Sequence, residues 1–175
     1  MKSYYRRIFK NQQTGVATIR ELLQVMFVGE LLVIGERVWL ISPWISNVVI
    51  IDNRSGSYDV LNPEWGRTEI RLVEVLNSLM IRGVQVVVVT CDIEENRAFI
   101  KSMKDSVDLH SLESFLTVKY KEKLHTKGIL LAKCLLMGSM NITYNGIEIK
   151  DESIQFSVDP EDLAITRLQF ETYLR

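Results

Sequence analysis

Leu124-His125-Thr126-Lys127-Gly128-Ile129-Leu130-Leu131, followed shortly by Gly138-Ser139-Met140-Asn141, is the stretch on which the reading of this chain turns. One of only two histidines sits here, two residues before a lysine, at the mouth of an apolar run. Alternate side chains of a strand share a face, so His125 and Lys127 point the same way. A three-residue turn at Ala132-Lys133-Cys134 would fold the run back with Leu131 opposite Leu135. His125 then lies opposite Asn141 and Lys127 opposite Ser139, all four on one face. A two-residue turn would instead send Ser139 and Asn141 to the far face, so turn length is part of this expectation. An imidazole, an ammonium, a hydroxyl and an amide converging on one patch suit a phosphodiester.

The rest of the chain sets bounds. At 175 residues, 47% hydrophobic and 25% charged, it reads as a soluble globular protein of one domain, 1–175. A formal charge of −1 makes no whole-protein case for nucleic acid, so any basic surface is local. Cys91 and Cys134 are far apart, with neither metal spacing nor a disulfide framework, and read as buried small hydrophobes in a reducing cytoplasm. The start carries Lys2, Arg6, Arg7 and Lys10, but no apolar core follows directly and no cleavage site is visible, which argues against a signal peptide. The apolar run Leu22 to Ile34 is interrupted by Gln24 and Glu30 and is too short to span a bilayer, so a buried helix is expected and no membrane partner.

Thr14 or Thr18 is expected to cap a helix reaching Ile34, with Gly35 as its stop. Arg37 to Ile51 reads as strand, broken at Ser42-Pro43-Trp44, and Asp52 to Trp65 as surface loop. Gly66 to Arg82 has helical spacing, and Val84 to Thr90 reads as a strand covered on both faces. A helix over Asp92 to Lys104 follows, then strands over Phe115 to Tyr120, the His125 hairpin and Ser153 to Val158. A last helix runs from Glu161 to Leu174, begun at Asp159-Pro160. Alternating helices and strands, several of them almost wholly apolar, predict an α/β sandwich with a mixed, largely buried sheet flanked by helices.

H-x-K, then G-S-x-N, then an acid eleven positions after the Asn resembles the phospholipase D superfamily. The residues are His125, Lys127, Gly138, Ser139, Asn141 and Glu152. One such half-motif in a short chain resembles the family's small nuclease branch, in which two identical subunits each supply one. The resemblance implies a phospholipase D-like fold and a homodimer with its active site at the two-fold axis. It implies no cofactor or metal, and DNA as substrate. In that role His125 attacks phosphorus to give a phosphohistidine, Lys127 neutralises the non-bridging oxygens, and Ser139 and Asn141 donate to the transition-state charge. Glu152 orients His125, in competition with Glu148 and Asp151 for that part. A second His125 protonates the leaving group, the two imidazoles titrating as a pair, since His110 lies outside the motif. Over its whole length the chain also resembles phospholipase-D-like components of bacterial gene clusters that insert 7-deazaguanine bases into DNA and restrict unmodified DNA. That implies genome defence, with other cluster proteins as partners.

Two departures from the family stand out. Many members carry an acid five residues after the lysine, a structural carboxylate at the hairpin turn, where this chain has Ala132. The Lys127-to-Asn141 segment is also one residue shorter than in typical members. Upstream, Lys119, Lys121 and Lys123 continue the odd-numbered series of His125 and Lys127. If the chain stays extended they form a basic stripe able to track a nucleic-acid backbone; otherwise they protect an edge strand. Ser139 and Asn141 can alternatively serve a turn or cap, His110 reads as a solvated residue near a helix end, and Trp44 reads as packing rather than a base-stacking platform. Other functions compete with the nuclease reading. One is a non-catalytic nucleic-acid-binding or assembly subunit, favoured by Ala132 and the near-neutral charge. Another, lipid phosphodiester hydrolysis, is disfavoured by the single half-motif and the absent anchor.

Overall fold

A computed structural model describes residues 5–11 and 13–175; Lys2 of the basic N-terminal run lies outside them. The strands are β1 (Tyr5–Lys10), β2 (Arg37–Ile41), β3 (Val49–Asp52), β4 (Glu69–Arg71), β5 (Gln85–Thr90), β6 (Leu116–Tyr120), β7 (Gly128–Leu130), β8 (Leu135–Gly138) and β9 (Glu152–Ser157). The helices are α1 (Val16–Leu32), α2 (Leu72–Ile81), α3 (Glu94–His110) and α4 (Pro160–Glu171). Seven strands form one sheet in the order β1-β9-β8-β7-β2-β5-β6, and β3 and β4 pair separately. The β2, β5 and β6 strands are parallel, joined by helical crossovers, and the other four continue the sheet antiparallel. The expected mixed α/β sandwich is the fold observed.

The sheet's alternation sorts its side chains between two layers. Val38, Leu40, Val86, Val88, Ile129, Leu136 and Ile154 face α1, α2 and α3, meeting Leu23 and Phe27 of α1, Leu76 and Leu79 of α2 and Phe99 and Met103 of α3. Trp39, Ile41, Val87, Val89, Leu130 and Leu135 face the other way onto Leu163 and Phe170 of α4. Each fully buried side chain of this size contributes about 1.5–3 kcal/mol. The central strands are buried on both faces, which is why their sequences carry almost no polar alternation. One helix cannot cover a seven-stranded layer, and on that side Ser153 and Gln155 of β9 and Phe9 of β1 are exposed.

Several boundaries differ from the sequence expectation. Neither Thr14 nor Thr18 caps α1: Asn11 Oδ1 accepts the N–H groups of Gln13 and Thr14 in a turn, and Gly15 holds the cap position. β1 went unrecognised because its six residues are mostly charged or aromatic and only Ile8 and Lys10 are buried. Of the helix expected over Gly66 to Arg82, the first part is strand β4 and α2 starts at Leu72, because Thr68 to Leu72 hydrogen-bonds to the β3 region. α3 runs on past Lys104, since Met103 and Val107 keep the buried spacing, and ends where Ser111 turns left-handed. Among the described residues no helix is long and apolar enough to cross a membrane.

Candidate active site

The β7–β8 hairpin holds the motif, and its register is Gly128 with Met137, Ile129 with Leu136 and Leu130 with Leu135. The Leu131 N–H donates to the Cys134 carbonyl at 2.9 Å, so the turn has two residues, Ala132 and Lys133, and not the three expected. The reason lies outside the hairpin. Glu30 of α1, almost fully buried, accepts the Ala132 N–H at 2.8 Å through Oε2 and the Gly35 N–H at 3.1 Å through Oε1. A carboxylate from 102 positions upstream thus holds the turn, at the place where the family's own acid is missing. Gly35 permits the approach, since a Cβ there would stand 2.5 Å from the Cβ of Ala132. Burial pushes the Glu30 carboxyl above its ordinary pKa, opposed by the two N–H donors and Lys133. Burial, with Glu30 adding, pushes the neighbouring Cys134 thiol up to about 12.

At the hairpin's open end the shorter turn pairs Lys127 with Gly138, whose N–H donates to the Lys127 carbonyl at 3.3 Å. Regular alternation would then send the Ser139 side chain to the α4 side. It does not go there. Gly138 has φ +153°, and a Cβ on it would lie 2.3 Å from the Ser153 carbonyl oxygen, so only glycine fits this break. Beyond it, the Ser139 hydroxyl donates to Glu152 Oε2 and accepts the Ser153 N–H at 2.9 Å. Glu152 shares its face of β9 with Ile154, which lines the same small cavity as Lys127, Ile129 and Ile142. Ser139 therefore reaches the Lys127 side of the sheet by a backbone break rather than by register.

Glu152 is buried and pairs across the β1–β9 ladder with Lys10. Lys10, also buried, donates to the Ile147 carbonyl at 3.0 Å. Burial lowers its pKa, while Glu152, Glu148 and Asp151 oppose the shift. The competing acids are placed elsewhere: Glu148 binds Arg20 with both carboxylate oxygens, and Asp151 is exposed.

Asn141 is buried against the C-terminal end of β2. Its Oδ1 faces the Ser42 hydroxyl at 3.3 Å and the Trp44 N–H at 3.5 Å. A backbone N–H can only donate, so the amide's oxygen points inward and its Nδ2 outward; among the described residues nothing in the protein accepts from that Nδ2. Ser42 donates to the Trp44 carbonyl at 2.6 Å and accepts the Ile142 N–H at 3.1 Å, tying the Asn141 segment to β2. Lys127 Nζ donates to the His125 carbonyl at 2.8 Å and keeps two further donor positions. The His125 imidazole is exposed and, among the described residues, unbonded, so Glu152 engages Ser139 and not His125. Thr126, between His125 and Lys127, is fixed by the Tyr173 hydroxyl at 3.0 Å.

His110 is the last residue of α3, its Nδ1 at 2.8 Å from the Ser106 carbonyl. α3 begins just past the C-terminal end of β5 and runs back for 17 residues, or about 25 Å, so the chain's own second imidazole is remote from the first. The lysine stripe is not continuous: β6 ends at Tyr120, and a turn at Glu122-Lys123 interrupts the extended chain before His125. Lys121 and Lys123 are exposed, while Lys119 is half-buried in β6, an edge strand of the sheet. Sequence reasoning missed Glu30, Ser42, Lys10 and Asn96, whose buried amide donates to the Pro43 carbonyl and accepts the Ile45 N–H. Only Glu30 gave a signal, as an acid inside an apolar helical run.

Comparison with known proteins agrees with this fold. No curated protein sequence matches the chain significantly. Among solved structures it is similar to Nuc from Salmonella typhimurium, a phospholipase D family member, at 10% identity and TM-score 0.60 over 97% of this chain and 93% of that one. NucT from Helicobacter pylori is similar at 14% identity and TM-score 0.59, over 97% and 96% of the two chains. TrmBL2, an archaeal chromatin protein with a novel mode of DNA binding, is similar at 11% identity and TM-score 0.54, over 98% of this chain and 52% of that one. These likenesses concern the fold. The family model described as "Cardiolipin synthase, PLD-like domain" matches residues 48–174, which include every motif residue from His125 to Glu152 and most of the sheet, and the chain therefore belongs to the phospholipase-D-like family.

Proposed function

We propose that this protein is a phosphodiesterase that cleaves DNA through a covalent phosphohistidine, as a homodimer and without a metal. The observation that carries the reading is the free donor set at the open end of the hairpin. The outward amide of Asn141 and the two spare donor positions of Lys127 lie on a framework that already satisfies Ser139, Ser42 and Glu152. Donors fixed before the substrate arrives stabilise transition-state charge without reorganising.

His125 attacks phosphorus, forming a P–N bond as the bond to the leaving oxygen breaks. That oxygen takes a proton from the imidazolium of a second subunit's His125. The same imidazole then deprotonates a water, which attacks phosphorus, breaks the P–N bond and releases the product phosphate and free histidine. The remoteness of His110 supports the need for a second copy. Lys121 and Lys123, exposed at the same end of the sheet, are candidates to hold the DNA backbone, with Lys119 in a lesser role. The whole-chain resemblance supports a role in the bacterial cytoplasm beside DNA-modifying proteins. The missing acid at Ala132 no longer argues for a non-catalytic subunit, because Glu30 supplies a carboxylate to the turn.

The test is cleavage of DNA in excess EDTA by the wild type and by His125→Asn. Cutting that resists EDTA and drops by roughly 10⁴-fold or more in the variant is expected for loss of a nucleophile. DNA binding without cutting by the wild type would instead support the assembly-subunit reading.

A further inference from the structure

Trp44 is expected to pack, and it does so only in part. Of the three tryptophans, Trp39 and Trp65 are buried, while Trp44 is 47% exposed. A lone exposed hydrophobe means little, but the backbone that carries this one is unusually constrained. Asn96, 1% exposed, straddles it: Nδ2 donates to the Pro43 carbonyl at 2.8 Å and Oδ1 accepts the Ile45 N–H at 2.8 Å. The Trp44 carbonyl takes the Ser42 hydroxyl, its N–H faces Asn141 Oδ1, and Ile45 bridges Ile142. Four buried polar side chains, those of Ser42, Thr90, Asn96 and Asn141, hold this corner. The group projecting from it is an indole.

The corner also adjoins the candidate site. Trp44 lies three residues beyond Ile41, and His125 three residues before Gly128, where Ile41 and Gly128 are antiparallel partners. The indole and the imidazole thus leave the sheet at the same edge, with Asn141 tied to both β2 and the motif. Tyr120 is also exposed nearby, but it lines a hollow shared with Asp92 and Glu122, whose charges repel a phosphate backbone.

We infer that Trp44 is a stacking platform for the nucleobase flanking the scissile phosphate, and that the substrate is therefore single-stranded DNA. A base inside a duplex has both faces covered by its neighbours, whereas an unpaired base can lie on an indole. The corner fixes the backbone that carries the ring, so that backbone need not be ordered on binding. The inference rests on the DNA reading above but not on the histidine mechanism.

Two measurements test it. Titration with a single-stranded oligonucleotide should quench the exposed fraction of tryptophan fluorescence, and Trp44→Phe should abolish that quenching. This readout holds whether or not the protein cuts, so failure of the nuclease mechanism is distinguishable from failure of the stacking platform. Kinetically, Trp44→Ala should raise KM on single-stranded DNA by about 5- to 150-fold, Trp44→Phe should recover most of the loss, and the penalty should fall below twofold when the flanking nucleotides are abasic. An equal penalty on intact and abasic strands would overturn the inference, as would an unchanged KM. So would a Trp44→Ala protein that has lost dimer mass in sedimentation, which would assign the indole to the contact between subunits.

Discussion

The two ends of the β7–β8 hairpin solve opposite problems. At the turn, Glu30 uses both carboxylate oxygens on backbone N–H groups and is sealed from solvent, so the strand register is fixed and nothing is left to bind. At the open end, Gly138 breaks the strand, Asn141 keeps an outward amide, Lys127 keeps donor capacity and the His125 imidazole has no hydrogen-bond partner among the described residues. One end is saturated and the other is polar with groups to spare. The pairing teaches that a hairpin end carrying spare donors needs a rigid opposite end: a hairpin free to slip by one residue would turn its donors to the wrong face.

After loss of the nucleophile itself, the largest effect at the open end should follow removal of a donor. Asn141→Ala is expected to lower the cleavage rate by 10²- to 10³-fold, the range for losing one preorganised donor, on the order of 3–4 kcal/mol of transition-state stabilisation. The stability change should stay near 1 kcal/mol, checked by denaturant melts beside the kinetics. Equal losses in rate and stability would erase the contrast between the two ends.

Gly138→Ala joins the ends. A Cβ driven against the Ser153 carbonyl, at a positive φ, should cost about 3 kcal/mol of stability and also misplace Ser139 and Glu152. A variant as stable and active as the wild type would mean that the strand break is not what aims Ser139.

The turn end should answer in stability first. Glu30→Ala strands two N–H groups and is expected to destabilise by about 2 kcal/mol, with Ala132→Asp in the same chain restoring part of that loss by returning the acid to its usual family position. The pH dependence has a definite sign. Glu30's pKa is raised in the folded state, so the folded chain holds its proton longer than the unfolded chain does. Stability from this group is full below the ordinary value of 4.5 and declines as pH rises through the raised value. That decline, followed by chemical denaturation as pH is raised from 4.5, should be absent in Glu30→Gln.

Much of this was legible in advance, for local reasons. The β-branched run Val86 to Val89 forces a strand buried on both faces, Asp159-Pro160 starts a helix, and the spacing from His125 to Glu152 carries the family. What failed, failed where a distant residue decides the outcome. A hairpin turn of two residues rather than three is not encoded in Ala132-Lys133-Cys134. It follows from the carboxylate of Glu30, brought over by the packing of α1. β4 is strand because β3 lies beside it, and β1 joins the sheet because β9 offers an edge.

By itself, then, the sequence determined the layered α/β fold, the family and which residue types the candidate site draws on, because apolar period and motif spacing act over a few residues. Only the tertiary structure decided which face Ser139 takes, what replaces the missing acid, where the lysines turn away and that Trp44 stays half-exposed. Each depends on hydrogen bonds between residues distant in the sequence, and no local preference specifies which buried polar groups will meet.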